Sequence, residues 1–190
     1  MKLITVAHKL EARHFFLNYS FTKNDYIHGL FENQLFSLFI CQMGSNQAYR
    51  NLKNLLDKNN SFELIINLGI AGAINSSLKQ HSICPIKLLV DASTITYPIE
   101  TPGGLYTCFT SEKKILTSID ADVLKTFDLV DMESYGLSQA SKEYNIPFHS
   151  YKLISDFPNH NTNDEQTKKN FDTYSKLLFD YFQQQILPLF

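Results

Sequence analysis

The chain has 190 residues, 44% of them hydrophobic, and a formal net charge of −2. This composition predicts one ordinary domain with a buried core, spanning residues 1–190. Charged residues make up 19% and form no basic block, which excludes a disordered chain and a surface for nucleic acid.

Three cysteines, Cys41, Cys84 and Cys108, lie far apart and are odd in number. They predict reduced thiols in the cytoplasm rather than a disulfide framework. The N-terminal apolar run is too short for a signal peptide, and no run approaches the roughly 18 apolar residues of a membrane span. The histidines show no metal-ligand spacing. We therefore expect a cytoplasmic protein without membrane contact, metal or cofactor.

Hydrophobic periodicity predicts the elements of the first half. Strands are expected at residues 3–7, 26–30, 35–41 and 63–68. Helices are expected at residues 9–17, with Leu10, His14 and Leu17 on one face, and at residues 45–56. The strand at 63–68 is expected to end in a turn made by Gly69 and Gly72.

In the second half, strands are expected at residues 83–90, 128–132 and 148–154. Pro85 predicts that the first of them bulges or lies at an edge. Prolines and glycines mark a loop within 91–125. Helices are expected at 133–144 and from a capping box at Thr162 and Glu165 to about residue 185. The alternation predicts a single-domain α/β fold, a mixed twisted sheet with helices on both faces.

Polar residues and glycines follow four of these strands. Glu11 comes after the first strand, the turn of residues 69–72 after the 63–68 strand, Asp131 and Glu133 after the 128–132 strand, and Asp156 after the last. Because ligands of such sheets bind at the carboxyl ends of the strands, we expect these groups to share one site.

The run Asp131-Met132-Glu133-Ser134, followed later by Ile154-Ser155-Asp156, resembles the signature of the purine nucleoside phosphorylase superfamily. With the turn of residues 69–72 and the early Glu11, it resembles the methylthioadenosine/S-adenosylhomocysteine nucleosidase branch, with futalosine hydrolase as a near relative. The resemblance implies a nucleoside phosphorylase-like fold and a homodimer. It implies an N-ribosyl hydrolase that cleaves an adenosine-type nucleoside with a 5′ substituent, in nucleoside catabolism.

The resemblance also implies roles for individual residues. Asp156 would protonate N7 of the leaving purine as general acid, and Glu11 would be general base to the attacking water. Glu133 would bind the ribose hydroxyls and stabilise an oxocarbenium-like sugar, against which Met132 packs. The remaining substrate-binding residues would be Ser155 beside the acid, the backbone of Ile70, Ala71 and Gly72, and Phe109 stacked on the purine.

Each residue has a plainer explanation. Asp156 can be a turn residue before Pro158, Glu133 an acid favoured by a helix N-terminus, and Glu11 a solvated charge. Phe109 can be a core residue.

Three alternatives to the hydrolase remain open. The first is a phosphate-dependent purine nucleoside phosphorylase, which normally needs arginines and a hydroxyl in the glycine turn. Here Ile70 occupies that place, and Arg13 and Arg50 are the chain's two arginines. The second is a futalosine hydrolase-like enzyme. The third is a non-catalytic purine-binding protein, favoured by a 91–125 stretch shorter than the family usually has.

Overall fold

The computed structural model describes residues 1–114, 124–157 and 164–190, without the side chains of 164–168. Its strands are β1 Lys2–Val6, β2 Thr22–Lys23, β3 Leu30–Glu32, β4 Phe36–Ile40, β5 Leu64–Ala73, β6 Ile83–Val90, β7 Thr96–Pro98, β8 Tyr106–Thr110, β9 Leu129–Asp131 and β10 Phe148–Asp156. Its α-helices are α1 Arg13–Asn18, α2 Ser45–Lys58, α3 Ser134–Glu143 and α4 Asp164–Tyr181, and α4 continues into a π-helical turn, Phe182–Ile186.

The strands of the described residues form one mixed sheet. One wing runs β5-β1-β4-β3-β2, in which β1 is parallel to both β4 and β5. On the other side, β5 pairs with β10, followed by β6, β8 and β9, and β9 pairs back onto β5. These five strands therefore close into a ring, and the wing extends from it. The α/β fold with a mixed sheet is confirmed.

The length of β5 makes the ring possible. Its first half, up to Asn67, pairs with β1. Beyond the end of β1, Gly72 and Ala73 pair with β9 instead. The parallel partner β10 follows β5 over most of its length. The strand thus changes neighbours along its course, so the carboxyl ends of β1, β5, β9 and β10 meet at one place.

Side chains alternate between two cores on the two faces of the sheet. Leu3 and Ile65 belong to one core, which includes the apolar stripes of α2 and α3. Ile4 and Ile66 belong to the other, which includes residues of α1 and α4. This period of two is what a sheet covered on both faces requires. The expected helices on both faces are confirmed. Within the described residues, no helix has the length and apolar character to span a membrane.

Two expected elements of the first half differ. The helix expected at 9–17 begins only at Arg13, and Phe15 is its buried residue while Leu10 and Leu17 are exposed. The preceding chain forms turns, because the Glu11 carboxylate accepts the backbone N–H groups of Ala7 and His8.

The expected strand at 26–30 is also wrong. The side chain of Asn24 accepts the N–H groups of Tyr26 and Ile27 and holds a turn there. The chain becomes extended only at Leu30. Local bonding from an Asn side chain competes here with the ladder that the apolar pattern predicted.

The expected glycine turn does not exist, since β5 continues through Gly69 and Gly72 to Ala73. The strand with Pro85 is central, between β10 and β8, and its register against β8 shifts between Ile86 and Leu88. The bulge is therefore confirmed and the edge position is not. Part of the 91–125 loop forms β7 and β8, while the expected capping box lies outside the described residues.

Helices α2 and α3 touch at a glycine. A Cβ added to Gly136 would lie 2.1 Å from the carbonyl oxygen of Ser45. Both groups belong to backbone, so neither can move without separating the helices. This contact holds the start of α3, and with it Glu133, against the start of α2.

We expect Gly136→Ala to destabilise the protein by about 2 kcal/mol through overpacking. Helix propensity alone would change stability the other way, by about 1 kcal/mol. Urea unfolding measures the difference, with Gln139→Ala on the same helix as control. An unchanged or raised midpoint for Gly136→Ala would show that the helices do not meet as described.

Candidate active site

A cavity of about 460 Å³ opens where β1, β5, β9 and β10 end. Its size lies within the range of roughly 300–1,000 Å³ that ligand pockets occupy. The described residues that line it are Ala7, His8, Leu10, Glu11, Met43, Ile70, Ala71, Gly72, Lys113, Lys114, Val130, Asp131, Met132, Glu133, Ser155, Asp156 and Phe171. Four carboxyl groups, two lysines and a histidine are part of the wall.

Glu11 is buried in a cradle of backbone N–H groups. Its Oε2 accepts the N–H of Ala7 at 2.9 Å and of His8 at 3.0 Å, and its Oε1 accepts that of Ile70 at 3.1 Å. Burial raises the pKa of Glu11 above its ordinary value, although these bonds and the ammonium of Lys152 oppose the rise. The three donors fix the carboxylate across the ends of β1 and β5.

Gly69 makes room for this arrangement. A Cβ at Gly69 would lie 3.3 Å from Nζ of Lys152 and 3.4 Å from Oε1 of Glu11. A side chain there would press on both charged groups. The glycine inside β5 therefore serves the approach of an ammonium and a carboxylate rather than a turn.

Lys152 and Asp131 form a fully buried ion pair, with Nζ 2.8 Å from Oδ2. Asp131 also accepts the hydroxyl of Thr110 at 2.7 Å and the N–H of Ser134 at 2.9 Å. Burial raises the pKa of Asp131, but Lys152 and these bonds outweigh it and leave the pKa below its ordinary value. Burial lowers the pKa of Lys152, and the carboxylates of Asp131 and Glu133 more than reverse this. Both groups are therefore charged at neutral pH.

A series of hydrogen-bonded polar side chains, centred on Asn67 of β5, supports the ion pair of Asp131 and Lys152. The hydroxyl of Ser134 lies 2.5 Å from Oδ2 of Asp131 and 3.0 Å from Oδ1 of Asn67. Ser150 donates to the same Asn67 oxygen at 3.3 Å, and Asn67 donates to the carbonyl of Thr5 at 3.4 Å. Buried polar groups are costly unless bonded, and these bonds link β1, β5, β10 and α3 beneath the cavity.

Glu133 has fewer donors than its neighbours. Its Oε1 accepts the N–H of Gly44 at 3.1 Å, in the loop between β4 and α2 where Gln42 and Gly44 have φ of 69° and 95°. Burial, with Asp131 as a second cause, raises the pKa of Glu133 to about 8. The structure thus contains two adjacent carboxyl groups with opposite shifts, and Glu133 holds its proton at neutral pH.

Asp156 reaches the cavity through a bulge. Between Ile154 and Asp156, β10 takes two residues against one step of β5, so Ser155 is the extra residue. Ser155 and Asp156 consequently both line the cavity. The Ser155 hydroxyl hydrogen-bonds Oδ1 of Asp156 and lies 3.2 Å from the carbonyl oxygen of Ala71, which anchors the acid to β5.

The structure brings together all but one of the residues expected from the sequence. The cavity wall contains the expected acid and base, Asp156 and Glu11, and the expected substrate-binding residues Glu133, Met132, Ile70, Ala71, Gly72 and Ser155. Phe109 is not part of the wall. Its ring packs on Phe127, with the centroids 5.3 Å apart. Its register partner Val130 lines the cavity instead.

Sequence reasoning missed Lys152 and part of the wall. A lysine in the middle of an apolar strand was the available signal, because a buried ammonium demands a carboxylate partner. His8, Leu10, Met43, Lys113, Lys114 and Phe171 carried no such signal, since each reads as an ordinary loop or helix residue.

No protein-family model and no curated protein matches the sequence. Solved structures do match, over nearly all of both chains. A protein from Borrelia burgdorferi described as a 5′-methylthioadenosine/S-adenosylhomocysteine nucleosidase, bound to adenine, gives a TM-score of 0.85 at 18% identity, with 100% of both chains covered. A variant of MTAN from Chlamydia trachomatis bound to MTA gives 0.79 at 18%, covering 99% of this chain and 96% of that one.

A futalosine hydrolase mutant of Helicobacter pylori gives a TM-score of 0.81 at 10% identity, with 96% of each chain covered. At identities this low, the structural matches establish a shared fold and no more. The described part of the chain therefore has the nucleoside phosphorylase-like fold that the sequence predicted.

The raised pKa of Glu133 predicts a pH dependence of stability. The folded carboxyl binds a proton up to about pH 8, whereas the unfolded one releases it near 4.5. Between these values the folded state binds more protons, so its stability falls as pH rises.

We expect the wild-type protein to lose stability relative to Glu133→Gln between pH 5 and 8, by at most about 1.4 kcal/mol per pH unit. Urea unfolding at several pH values measures both proteins. The comparison needs no further control, because the wild-type protein and the variant share all other titrating groups. Parallel pH profiles would contradict a protonated Glu133.

Proposed function

We propose that the protein is an N-ribosyl hydrolase that cleaves the N-glycosidic bond of an adenosine-type nucleoside. The single observation that carries this proposal is the convergence of Glu11, Glu133 and Asp156 on one cavity. Cleavage of such a bond needs an acid for the base, a group that activates water, and negative potential beside the sugar. The three carboxyl groups, which line one cavity, can meet these needs.

The comparisons support the same chemistry. The matched structures are described as nucleosidases bound to adenine and to MTA. Over nearly their whole length they share this fold, and the cavity lies where the fold places ligands, at the carboxyl ends of its strands.

Asp156 is the proposed general acid. A purine leaves readily once N7 is protonated, and the Ser155 bond holds the Asp156 carboxyl at the cavity wall. The neighbouring β5 backbone at Ala71 and Gly72 provides a flat, close wall for the ring. We therefore expect the base to lie between β5 and the end of β10.

Glu11 and Glu133 are the proposed sugar-side groups. Both oxygens of Glu11 accept backbone N–H groups, which hold it in place as base for a water molecule. Glu133 uses Oε1 for Gly44 and can share its proton with a ribose hydroxyl. Met132 beside it provides the apolar surface for the sugar ring. An ionised carboxylate in the cavity wall would favour a cationic sugar in the transition state.

Water suits this site better than phosphate. Ile70 occupies the position on β5 where a hydroxyl would be needed to hold an anion. Within the described residues no arginine lines the cavity, whereas Lys113 and Lys114 do. Arg13 pairs with Asp172 at 3.2 Å and Arg50 is exposed on α2. The carboxylates around the sugar position would repel a phosphate dianion.

The match in fold to a futalosine hydrolase supports a second candidate function, the hydrolysis of a nucleoside with a deaminated purine. The base released distinguishes the two. A non-catalytic purine-binding role is less consistent with three converging carboxyl groups, because buried carboxyls are costly to retain without use.

We further propose a cytoplasmic homodimer. All three cysteines are free and buried, which suits a reducing compartment. Met43 lines the cavity and is 64% exposed, and a second copy would cover it. Gel filtration with light scattering tests the dimer.

The defining experiment is base release from methylthioadenosine and from inosine-type nucleosides, with and without millimolar phosphate. We expect free adenine and a free 5-substituted ribose, at a rate that does not depend on phosphate. Release that requires phosphate and yields a sugar 1-phosphate would establish the phosphorylase instead. Selective release of a deaminated purine would establish the second candidate.

We expect Asp156→Asn to lower turnover by about 100-fold or more, the range that general acid catalysis contributes. Asp180→Asn, at a half-buried site near the far end of α4, is the control and should turn over normally. Calorimetry with adenine checks that the Asp156 variant still binds. Near-normal turnover by Asp156→Asn would remove the residue from the mechanism.

A further inference from the structure

The carbonyl oxygen of Ser155 accepts hydrogen bonds from two side chains. Nε2 of Gln80 donates to it at 2.7 Å, and the hydroxyl of Tyr174 donates at 3.2 Å. Ser155 is the extra residue of the bulge that precedes Asp156, and the extra residue of a bulge is left out of the regular ladder. The two side chains therefore hold the backbone at a point where regular strand pairing is interrupted.

The two donors come from different elements of the fold. Gln80 lies in the turn between β5 and β6, and Tyr174 lies on α4. The turn is itself bonded to β10 just before the bulge, because the N–H of His81 donates to the carbonyl of Ile154 at 2.9 Å and the N–H of Ile154 donates to the carbonyl of Ser82 at 3.0 Å. The end of β10 is thus fixed both from the turn and from the helix.

Tyr174 is buried, with 1% of its surface exposed. The centroid of its ring lies 5.8 Å from that of His81 and 6.2 Å from that of Phe171. Burial raises the pKa of Tyr174, and the charge of Asp156 adds to the rise. The hydroxyl consequently keeps its proton at neutral pH and can donate it to the Ser155 carbonyl.

The orientation of Asp156 depends on Ser155 at both ends of the acid. The peptide unit between the two residues is planar, so donors that hold its carbonyl oxygen also fix the backbone of Asp156. At the other end, the Ser155 hydroxyl bonds the Asp156 carboxyl. A displacement of about 1 Å in an active site can lower a rate about 100-fold. The two donors to the Ser155 carbonyl therefore bear on catalysis.

We propose that Tyr174 and Gln80 are positioning residues, which hold the carbonyl of Ser155 and thereby direct the carboxyl of Asp156 at N7 of the purine. The inference rests on the proposed function, in which Asp156 is the general acid. Neither Tyr174 nor Gln80 belongs to the described wall of the cavity, so both act through Ser155. Their effect falls on protonation of the leaving base.

The first test removes the hydroxyl of Tyr174 and keeps its ring. We expect Tyr174→Phe to lower kcat for methylthioadenosine about tenfold, a part of the roughly 100-fold that general acid catalysis contributes, and to leave KM nearly unchanged. Tyr151→Phe is the matched control, because Tyr151 is a buried tyrosine of β10 whose ring packs on Tyr181; it should turn over normally. An unchanged kcat for Tyr174→Phe would overturn the proposal.

A second substrate separates positioning of the acid from a general loss of structure. In 4-nitrophenyl 5-methylthioribofuranoside the leaving group departs as a stable phenolate and needs no proton. We expect Tyr174→Phe and Gln80→Leu to lower kcat for the nucleoside and to leave kcat for the nitrophenyl glycoside unchanged. Gln47→Leu, at an exposed site on α2, is the control for the second variant. Equal losses for both substrates would overturn the proposal.

Calorimetric binding of adenine and 7-deazaadenine decides the proposal without turnover. The two bases differ at position 7, where only adenine has a nitrogen for Asp156. We expect the wild-type protein to bind adenine more tightly, and this preference to fall severalfold in Tyr174→Phe and Gln80→Leu but to persist in Tyr151→Phe. If no base is released from any nucleoside, the proposed function fails, and the preference still decides the positioning. A preference that the wild-type protein lacks, or that survives both substitutions, would overturn the inference.

Discussion

The buried ion pair between Asp131 and Lys152 is the interaction on which the rest of the site depends. Asp131 ends β9 and Lys152 lies within β10, so the pair joins two strands of the closed ring from inside. Thr110 on β8 and Ser134 on α3 donate to the same carboxylate. Breaking such a pair leaves an uncompensated charge in the core, at a cost of about 3–5 kcal/mol. Loss of either residue alone would therefore weaken the closed ring.

The same pair distributes charge over the cavity. One ammonium lies among three buried carboxyl groups, so all three cannot be ionised at low cost. Asp131 has the lysine and several donors, and Glu11 has three backbone N–H groups. Glu133, with one N–H from Gly44, is the group whose pKa rises to about 8. Burial also raises the pKa of Glu11, where the hydrogen bonds and Lys152 oppose the rise, and at Glu133 the neighbouring Asp131 adds to it.

Several elements of the fold contribute charged groups to the cavity. Its carboxyl groups come from the ends of β9 and β10, from the residues that follow β9 and from the turn after β1, and its lysines come from the chain after β8. Gly69 and Gly136 allow the close approaches that this arrangement needs, one beside Lys152 and one between α2 and α3.

The sequence by itself determined the α/β class, most strands and helices, and the acids that follow the strands. These features can be recognised from the hydrophobic periodicity of neighbouring residues, two for strands and about 3.6 for helices. The sequence could not show that β5 runs on through its glycines, because their purpose is room for Lys152 and Glu11 from other strands. The expected place of Phe109 in the cavity wall differs from the structure for a related reason, because the face of β8 that meets the cavity depends on its register with β9. Only the tertiary structure decided that Lys152 is the partner of Asp131 and that Glu133 keeps its proton, because burial and pairing across the sheet set those charges.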